Sequence, residues 1–420
     1  MHNMDSLLEQ EKHFRLNGEK EQSTRILQEL VDHSLPQGSE SLLETIRLMG
    51  RRKGQIKEAF EKMILYAYDK MLKQTNTTLS LYSYRDTPLI DIKEAYSTPA
   101  STTAKDTPFL QFLQTLLSTV IEGKIYLEGL RVLVTDAIKQ IYLSQGDIQQ
   151  GLLSIYNVNV ETFSSLPVDE VLKYQLEQMR LSILAKDHEK AGILANRISQ
   201  RQLQEVPSLK PAYLNRMIFV YLGKKEYFNV AAIFQEMTQS DEESSSTLTH
   251  STAPAFTIFY ALLSLFHSST PYLLQKSTEH KLCSDAARVL GEKFLARHLI
   301  QPSALLAVLN QSEIFPELIN YHQKEIERTI LQHNLRVVSS YYTRITIQRM
   351  SEIFQMPEKE ITDLITEMIR AKLINAEIDQ ISSTLTIHSN QNELAEWTSS
   401  IEKWLDLLIK ISHRISKTEQ

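Results

Sequence analysis

Cys283 is the only thiol in this sequence, and His280 lies three positions before it. That spacing suits two zinc ligands, but a zinc site takes three or four, and no second Cys or His pair accompanies this one. As a nucleophile Cys283 would need a base within reach. With Ala286, Ala287 and Leu290 following it, Cys283 reads instead as a buried helical position. The twelve His are scattered. No His-Glu-x-x-His occurs, and no His-x-His precedes Ser and Asp at metalloprotease spacing, so zinc-dependent isopeptidase chemistry lacks its ligands. There is no Gly-rich loop of the nucleotide-binding kinds, whose backbone N–H groups would cradle phosphate. The Asp and Glu are spread along the whole chain and single out no acid–base pair. The expectation is therefore no catalytic residue, no metal and no cofactor.

The elements that would have to position such groups are helical. Gly numbers only 11 in 420 residues and none follows Gly291, which removes the residue that hairpins and strained active-site turns usually need. Leu, Ile, Glu, Lys and Gln are plentiful and favour helix. The formal net charge of -6 does not advertise nucleic-acid binding. The opening residues Met1–Gln10 include Asp5 and Glu9 and lack the apolar stretch of a signal peptide. The longest apolar run, Ala255–Phe266, is shorter than the roughly 20 residues a membrane span needs. A single Cys suits a reducing compartment. Cytoplasm and nucleus are the expected locations, with no membrane partner.

A local pattern recurs. Gly146-Asp147-Ile148, Lys186-Asp187-His188 and Lys225-Glu226-Tyr227 each precede an apolar helical run, and their acidic residues are 40 and 39 positions apart (147 to 187 to 226). Each reads as a polar turn before the second helix of a pair, with Asp able to cap that helix. A period near 40 with two helices per unit signals an α-solenoid, and an irregular helical bundle is the alternative the same pattern leaves open. Gly18-Glu19-Lys20 and Gly54-Gln55-Ile56 are a looser echo. Residues 1–237 are therefore expected to form helical repeats, interrupted at Tyr82–Pro108 by a Pro-, Ser- and Thr-rich surface loop or insertion. Residues 238–254 read as a flexible polar loop with an acidic-serine core, and 255–328 as further repeats.

From Thr329 to about residue 390 the order is helix (Leu331–Tyr341), short strand (Thr343–Ile345), helix (Ile347–Phe354, capped by Thr346), turn, helix (Glu358 to about Arg370 behind Pro357), then two short strands, Asn375–Asp379 and Thr384–His388. That is a winged helix containing a helix-turn-helix. A DNA-reading helix needs cations, but this one carries Glu358, Glu360, Asp363 and Glu367 against Lys359 and Arg370, a net -2. The wing turn 380–383 has no cation. Contact with protein is the better use of this module, and Thr343, Arg344 and Ile345, like Thr384–His388, are candidate edges for pairing with a neighbouring sheet.

The last segment, 391–420, carries an uninterrupted heptad seam. Trp397, Ile401, Trp404, Leu408, Ile411 and Ile415 are spaced 4, 3, 4, 3, 4, and both tryptophans of the protein are among them. Leu405 and Leu407 flank the seam, so most of the circumference is apolar. Such breadth suits insertion among several partner helices better than a two-stranded coil. Folding back onto the chain's own winged helix is the alternative.

Several strings resemble the PCI-domain subunits of the proteasome regulatory lid: His333–Arg336, Tyr341–Thr346 with Arg349-Met350, Glu122–Glu128, Leu176–Leu181, Gly146-Asp147 and Arg51–Met63. They fall in order along most of the chain. The resemblance implies a mainly α fold, an α-solenoid followed by a PCI module ending in its winged helix, and a long C-terminal helix. It implies a non-catalytic scaffold that packs against other PCI subunits and the lid's metalloprotease subunit, reaching toward the ATPase ring and the core particle, in ubiquitin-dependent proteolysis. A PCI subunit of the COP9 signalosome or of a translation initiation factor shares the fold and is the alternative.

Overall fold

The computed structural model describes residues 2–75, 79, 82–86, 88–90, 108–239, 247–264, 269–296, 298–302, 305, 309, 315–388, 401, 404, 405 and 408. The chain divides into two compact units, Met1–Ile233 and Phe234–Gln420. Among the described residues no helix is long and apolar enough to cross a membrane.

The first unit is built of helices α1 (His2–Asn17), α2 (Lys20–Ser34), α3 (Ser39–Arg51), α4 (Lys57–Gln74), α5 (Pro108–Leu116), α6 (Glu128–Ser144), α7 (Ile148–Tyr156), α8 (Val168–Leu184), α9 (His188–Arg197), α10 (Gln200–Glu205), α11 (Lys210–Gly223) and the start of α12 (Tyr227–Gln239). The repeat rests on one turn used three times. Gly146, Lys186 and Lys225 all adopt left-handed backbone, with φ of 82°, 60° and 59°. The residue after each closes the preceding helix with the same long-range bond: Asp147 N–H to the Tyr142 carbonyl (3.0 Å), Asp187 N–H to Ser182 (2.9 Å) and Glu226 N–H to Tyr221 (3.0 Å). These are Schellman closures. Asp147 and Asp187 then cap the next helix, each carboxylate accepting from the backbone N–H three residues on, at 3.0 Å. Glu226 instead accepts from the Asn229 side chain at 2.7 Å. The same closure recurs at Gly18, where Glu19 N–H reaches the Phe14 carbonyl at 3.0 Å. One signal in sequence thus makes one geometry at successive helix pairs.

The stretch from Tyr82 differs from the surface loop expected there. Tyr84 and Ile90 are buried, and residues 82–86 and 88–90 lie along helices α6, α8 and α11. The reason is long-range: the partners of this segment are 53 to 128 residues away, at Asp136, Glu170, Asn215 and Arg216. Residues 91–107 of that stretch lie outside the described residues.

The second unit contains α13 (Thr247–Leu263), α14 (Thr270–Thr278), α15 (Asp285–Leu295), α16 (Pro316–Tyr341), β1 (Arg344–Thr346), α17 (Ile347–Phe354), α18 (Glu358–Arg370), β2 (Ala376–Asp379) and β3 (Thr384–Ile387). Two expectations change here. Within 238–254, α12 extends to Gln239 and α13 already begins at Thr247, while 240–246 lie outside the described residues. Small Ala253 and Ala255 are buried and the Thr257 hydroxyl bonds back to the Ala253 carbonyl at 2.9 Å, so a polar-looking stretch still presents a packing face. Cys283 is buried but sits in the turn before α15 rather than within a helix, because Ser284, in extended backbone, starts that helix.

The winged helix forms as its pattern predicted. Thr346 caps α17 by accepting from Arg349 N–H at 3.3 Å, and α18 spans Glu358–Arg370. Ile361, Ile365 and Met368 of α18 pack with Leu335, Val338, Ile345, Met350 and Leu385 into the module's own core. The sheet order is β1-β3-β2, all antiparallel.

Candidate protein interface

The sheet presents two open edges. Ile387 N–H donates to the Thr343 carbonyl (2.8 Å) and Ile347 N–H to Ser383 (2.9 Å), so odd-numbered residues of β1 face β3. Antiparallel ladders alternate, which turns the N–H and C=O of Arg344 outward. Of the three residues expected at this edge, Arg344 therefore offers the free backbone groups. Ile345 pairs with Leu385 and is 5% exposed, a core residue. The Thr343 carbonyl is taken by β3, though its side chain is exposed. Thr384–His388 is not an edge at all. It forms the central strand, bonded to β1 on one side and β2 on the other, because β1 adds to the second strand of the hairpin rather than the first. The true second edge is β2, where His388 N–H donates to the Asn375 carbonyl at 2.9 Å, leaving Ala376 and Ile378 facing out. Strand alternation marks β2 in the sequence, but strand order is not written there.

Helix α18 keeps Glu358, Lys359, Glu360 and Asp363 exposed, and Glu367 is engaged by Arg328 of α16. The face a DNA reader would use is acidic. The wing turn is fixed by Asp379, which accepts from the N–H of Ile381 (3.0 Å) and the hydroxyl of Ser382 (2.7 Å); the hydroxyl and backbone donors hold its carboxyl below the usual range. Ile381 at its tip is 99% exposed.

Ile401, Trp404, Leu405 and Leu408 are helical and 44%, 68%, 53% and 59% exposed. Spaced i, i+3, i+4 and i+7, they share one helix face. Trp397, Ile411 and Ile415 lie outside the described residues.

One constellation went unrecognised in the sequence. Lys139 of α6, almost wholly buried, contacts Asp136 (2.6 Å), Glu177 of α8 (3.1 Å) and the Ser83 hydroxyl (2.8 Å). Arg180 holds Glu177 by two bonds of 2.7 and 2.8 Å. Burial alone would raise the Glu177 carboxyl, but Arg180 and Lys139 outweigh it and its pKa lies below the usual value. Arg216 of α11, fully buried, donates to the carbonyls of Leu176 (2.9 Å), Ala212 (2.8 Å) and Pro88 (3.3 Å); burial pushes its pKa down to about 10. The signal available was polar residues one repeat apart inside otherwise apolar helices. Among the described residues, no group of three or more His, Cys, Asp or Glu could hold a metal ion. Burial raises the pKa of the Cys283 thiol, the opposite of what an activated nucleophile needs.

Comparison with known proteins agrees with this geometry. The family model described as PSMD12/CSN4, N-terminal, matches residues 2–245, and the PCI domain model matches 292–389. The chain is 25% identical to the 26S proteasome regulatory subunit RPN5 of Saccharomyces cerevisiae over 435 aligned positions, covering 99% of this chain and 90% of that protein. It is 22% identical to the 26S proteasome non-ATPase regulatory subunit 12 of Dictyostelium discoideum, covering 99% and 88%. The likeness to COP9 signalosome complex subunit 4 of Drosophila melanogaster, 25% identical, covers only 29% of this chain and 32% of that protein. Since the N-terminal model alone spans more than half of the 420 residues, the chain belongs to the PSMD12/CSN4 family and carries a PCI domain over 292–389.

Proposed function

We propose that this chain is a non-catalytic scaffold subunit of the 26S proteasome lid, serving ubiquitin-dependent proteolysis in cytoplasm and nucleus. The observation that carries the reading is the exposed apolar face of Ile401, Trp404, Leu405 and Leu408 on a helix of a chain collinear with named proteasome regulatory subunits. Four large apolar side chains on one face are costly to leave in water, each worth about 1.5–3 kcal/mol on full burial. A cover of partner helices is the use that fits. In this reading residues 391–420 form the bundle helix, with Trp397, Ile411 and Ile415 completing its seam. The PCI module meets neighbouring PCI subunits through the outward backbone of Arg344, and the metalloprotease subunit is among its partners. The ATPase ring and the core particle are approached by the helical repeats.

The second reading is a COP9 signalosome subunit, favoured by the shared N-terminal family model. The short stretch of likeness to subunit 4 makes it the weaker one. The test is a chain ending at Ser399, expressed in place of the full chain, with lid assembly followed by native gel. Loss of the subunit from the lid supports the proposal. An intact lid containing the truncated chain counts against it.

A further inference from the structure

The described residues of the segment from Tyr82 to Ile90 make one 3-10 turn, Ser83–Arg85, and are held by side chains of the first helix in three successive helix pairs. At the start, Asp136 of α6 accepts from the Ser83 N–H (2.7 Å) and hydroxyl (2.9 Å). At the end, the Asn215 amide of α11 both accepts from Ile90 N–H (2.9 Å) and donates to the Ile90 carbonyl (3.1 Å). Arg216 donates to the Pro88 carbonyl. These bonds reach main-chain groups at Ser83, Pro88 and Ile90 and would hold a backbone of this shape largely regardless of its other side chains. Two side chains are read as well. Tyr84 is fully buried, set edge-on to Tyr174 of α8 with ring centroids 5.4 Å apart, and its hydroxyl donates to Glu170 at 3.1 Å. Ile90 is buried at the other end. Beside the segment the groove stays open as a cavity of about 620 Å³ bounded by Leu79, Ser83, Lys139, Gln140 and Glu177.

We propose that the inner faces of α6, α8 and α11 form a peptide-binding groove whose occupant is the chain's own Tyr82–Ile90, an exchangeable ligand held in cis. Polar side chains on the first helix of each pair supply backbone recognition, and the Tyr84 and Ile90 sites supply sequence preference for an aromatic residue and an aliphatic one six positions later. The groove requires neither the lid nor the C-terminal helix, so it stands apart from the proposed function.

The experiment replaces Tyr82–Ile90 in the full chain by a nine-residue Gly/Ser linker and titrates in a fluorescent synthetic peptide of residues 79–90, read by anisotropy, beside the unaltered chain. The expected result is binding to the linker variant at least about tenfold tighter than to the unaltered chain, whose groove is filled, and tighter than to the linker variant carrying Asn215→Ala. A scrambled peptide should not bind. Equal binding to both chains would overturn the proposal, as would no binding to a linker variant with the helical circular dichroism of the original. A linker variant that loses its helicity would overturn it too, since the segment would then be part of the folding core and not a ligand.

Discussion

The Arg216 guanidinium reaches one full repeat back to donate its Nε–H to the carbonyl of Leu176, 40 residues earlier, at 2.9 Å. It is fully buried, and its two terminal nitrogens donate to the carbonyls of Ala212 and Pro88. A pKa near 10 leaves it a cation at neutral pH, solvated by these carbonyls and attracted by the Glu177 carboxylate against the repulsion of Arg180. Arg216→Met keeps the volume but removes the guanidinium bonds to Leu176, Ala212 and Pro88, of which the first two carbonyls stay within their own helices' bonding, and should cost about 1–2 kcal/mol, read as an earlier unfolding midpoint in urea. Arg216→Lys, which keeps charge but lacks the fork, should recover only part of that loss. A midpoint unchanged in Arg216→Met would mean the buried network contributes nothing net.

The three repeat turns make a second prediction. Gly146 fills the left-handed position naturally, while Lys186 and Lys225 hold φ near 60° with a side chain present. Lys186→Gly and Lys225→Gly should each stabilise the first unit by about 0.5–1 kcal/mol, the relief of left-handed strain exceeding the added chain entropy of Gly. The shift in thermal midpoint of each single variant and of the double variant checks this, and the two should add.

His188 packs against α11 at Gly223, where a Cβ would lie 2.2 Å from the His188 ring carbon Cγ. Gly223→Ala should therefore destabilise by about 1–3 kcal/mol, and His188→Ala in the same chain should restore most of the loss. If the double variant is no more stable than Gly223→Ala alone, the clash is not the cause.

The same histidine gives the pH dependence. Burial, helped by Lys186, holds the His188 pKa below its ordinary 6.5. The unfolded chain then takes up its proton first on acidification, so the stability His188 confers is complete above about pH 6.5 and is lost as pH falls toward its folded value. Glu177 adds a lower window: with its folded pKa below 4.5, its contribution is complete above that value and disappears as pH drops through the folded pKa. Urea midpoints between pH 7.5 and 5.5 should decline less in His188→Gln than in the unaltered chain.

The edge of β1 supplies a test that the sequence alone misplaced. Proline at Ile345 would break both the ladder to β3 and the module's core, so a failure to assemble would say nothing about pairing with a neighbour. Arg344→Pro removes an outward-facing N–H while leaving the bonds of Thr343 and Ile347 to β3 in place. It should weaken incorporation into the complex while leaving the helical circular dichroism unchanged. Normal incorporation would remove β1 from the interface.

What could be read from the sequence follows how local the cause is. The repeat turns, the Thr346 cap and α18 are decided within a few residues, and Asp147, Asp187 and Thr346 cap the helices their spacing predicted. The burial of Tyr84 and Ile90 depends on Glu170 and Asn215, 86 and 125 residues away, and nothing in a Pro- and Ser-rich string reports that. Strand order failed for the same reason: Leu385 lies opposite both Ile345 and Ile378, but only folding chooses which strand becomes central. The seam around Trp404 was legible as a pattern because a helix face is written locally, and Ile401, Trp404, Leu405 and Leu408 stand exposed on it.

The most direct test of the central claim is affinity purification of the tagged full chain from its own cells under native conditions, with co-purifying proteins identified and quantified by mass spectrometry. Stoichiometric recovery of proteasome lid subunits, and their loss when Trp404 and Leu408 are both changed to Asp, is the predicted result. Recovery of COP9 signalosome subunits in their place, or of lid subunits undiminished by the double change, would contradict the account.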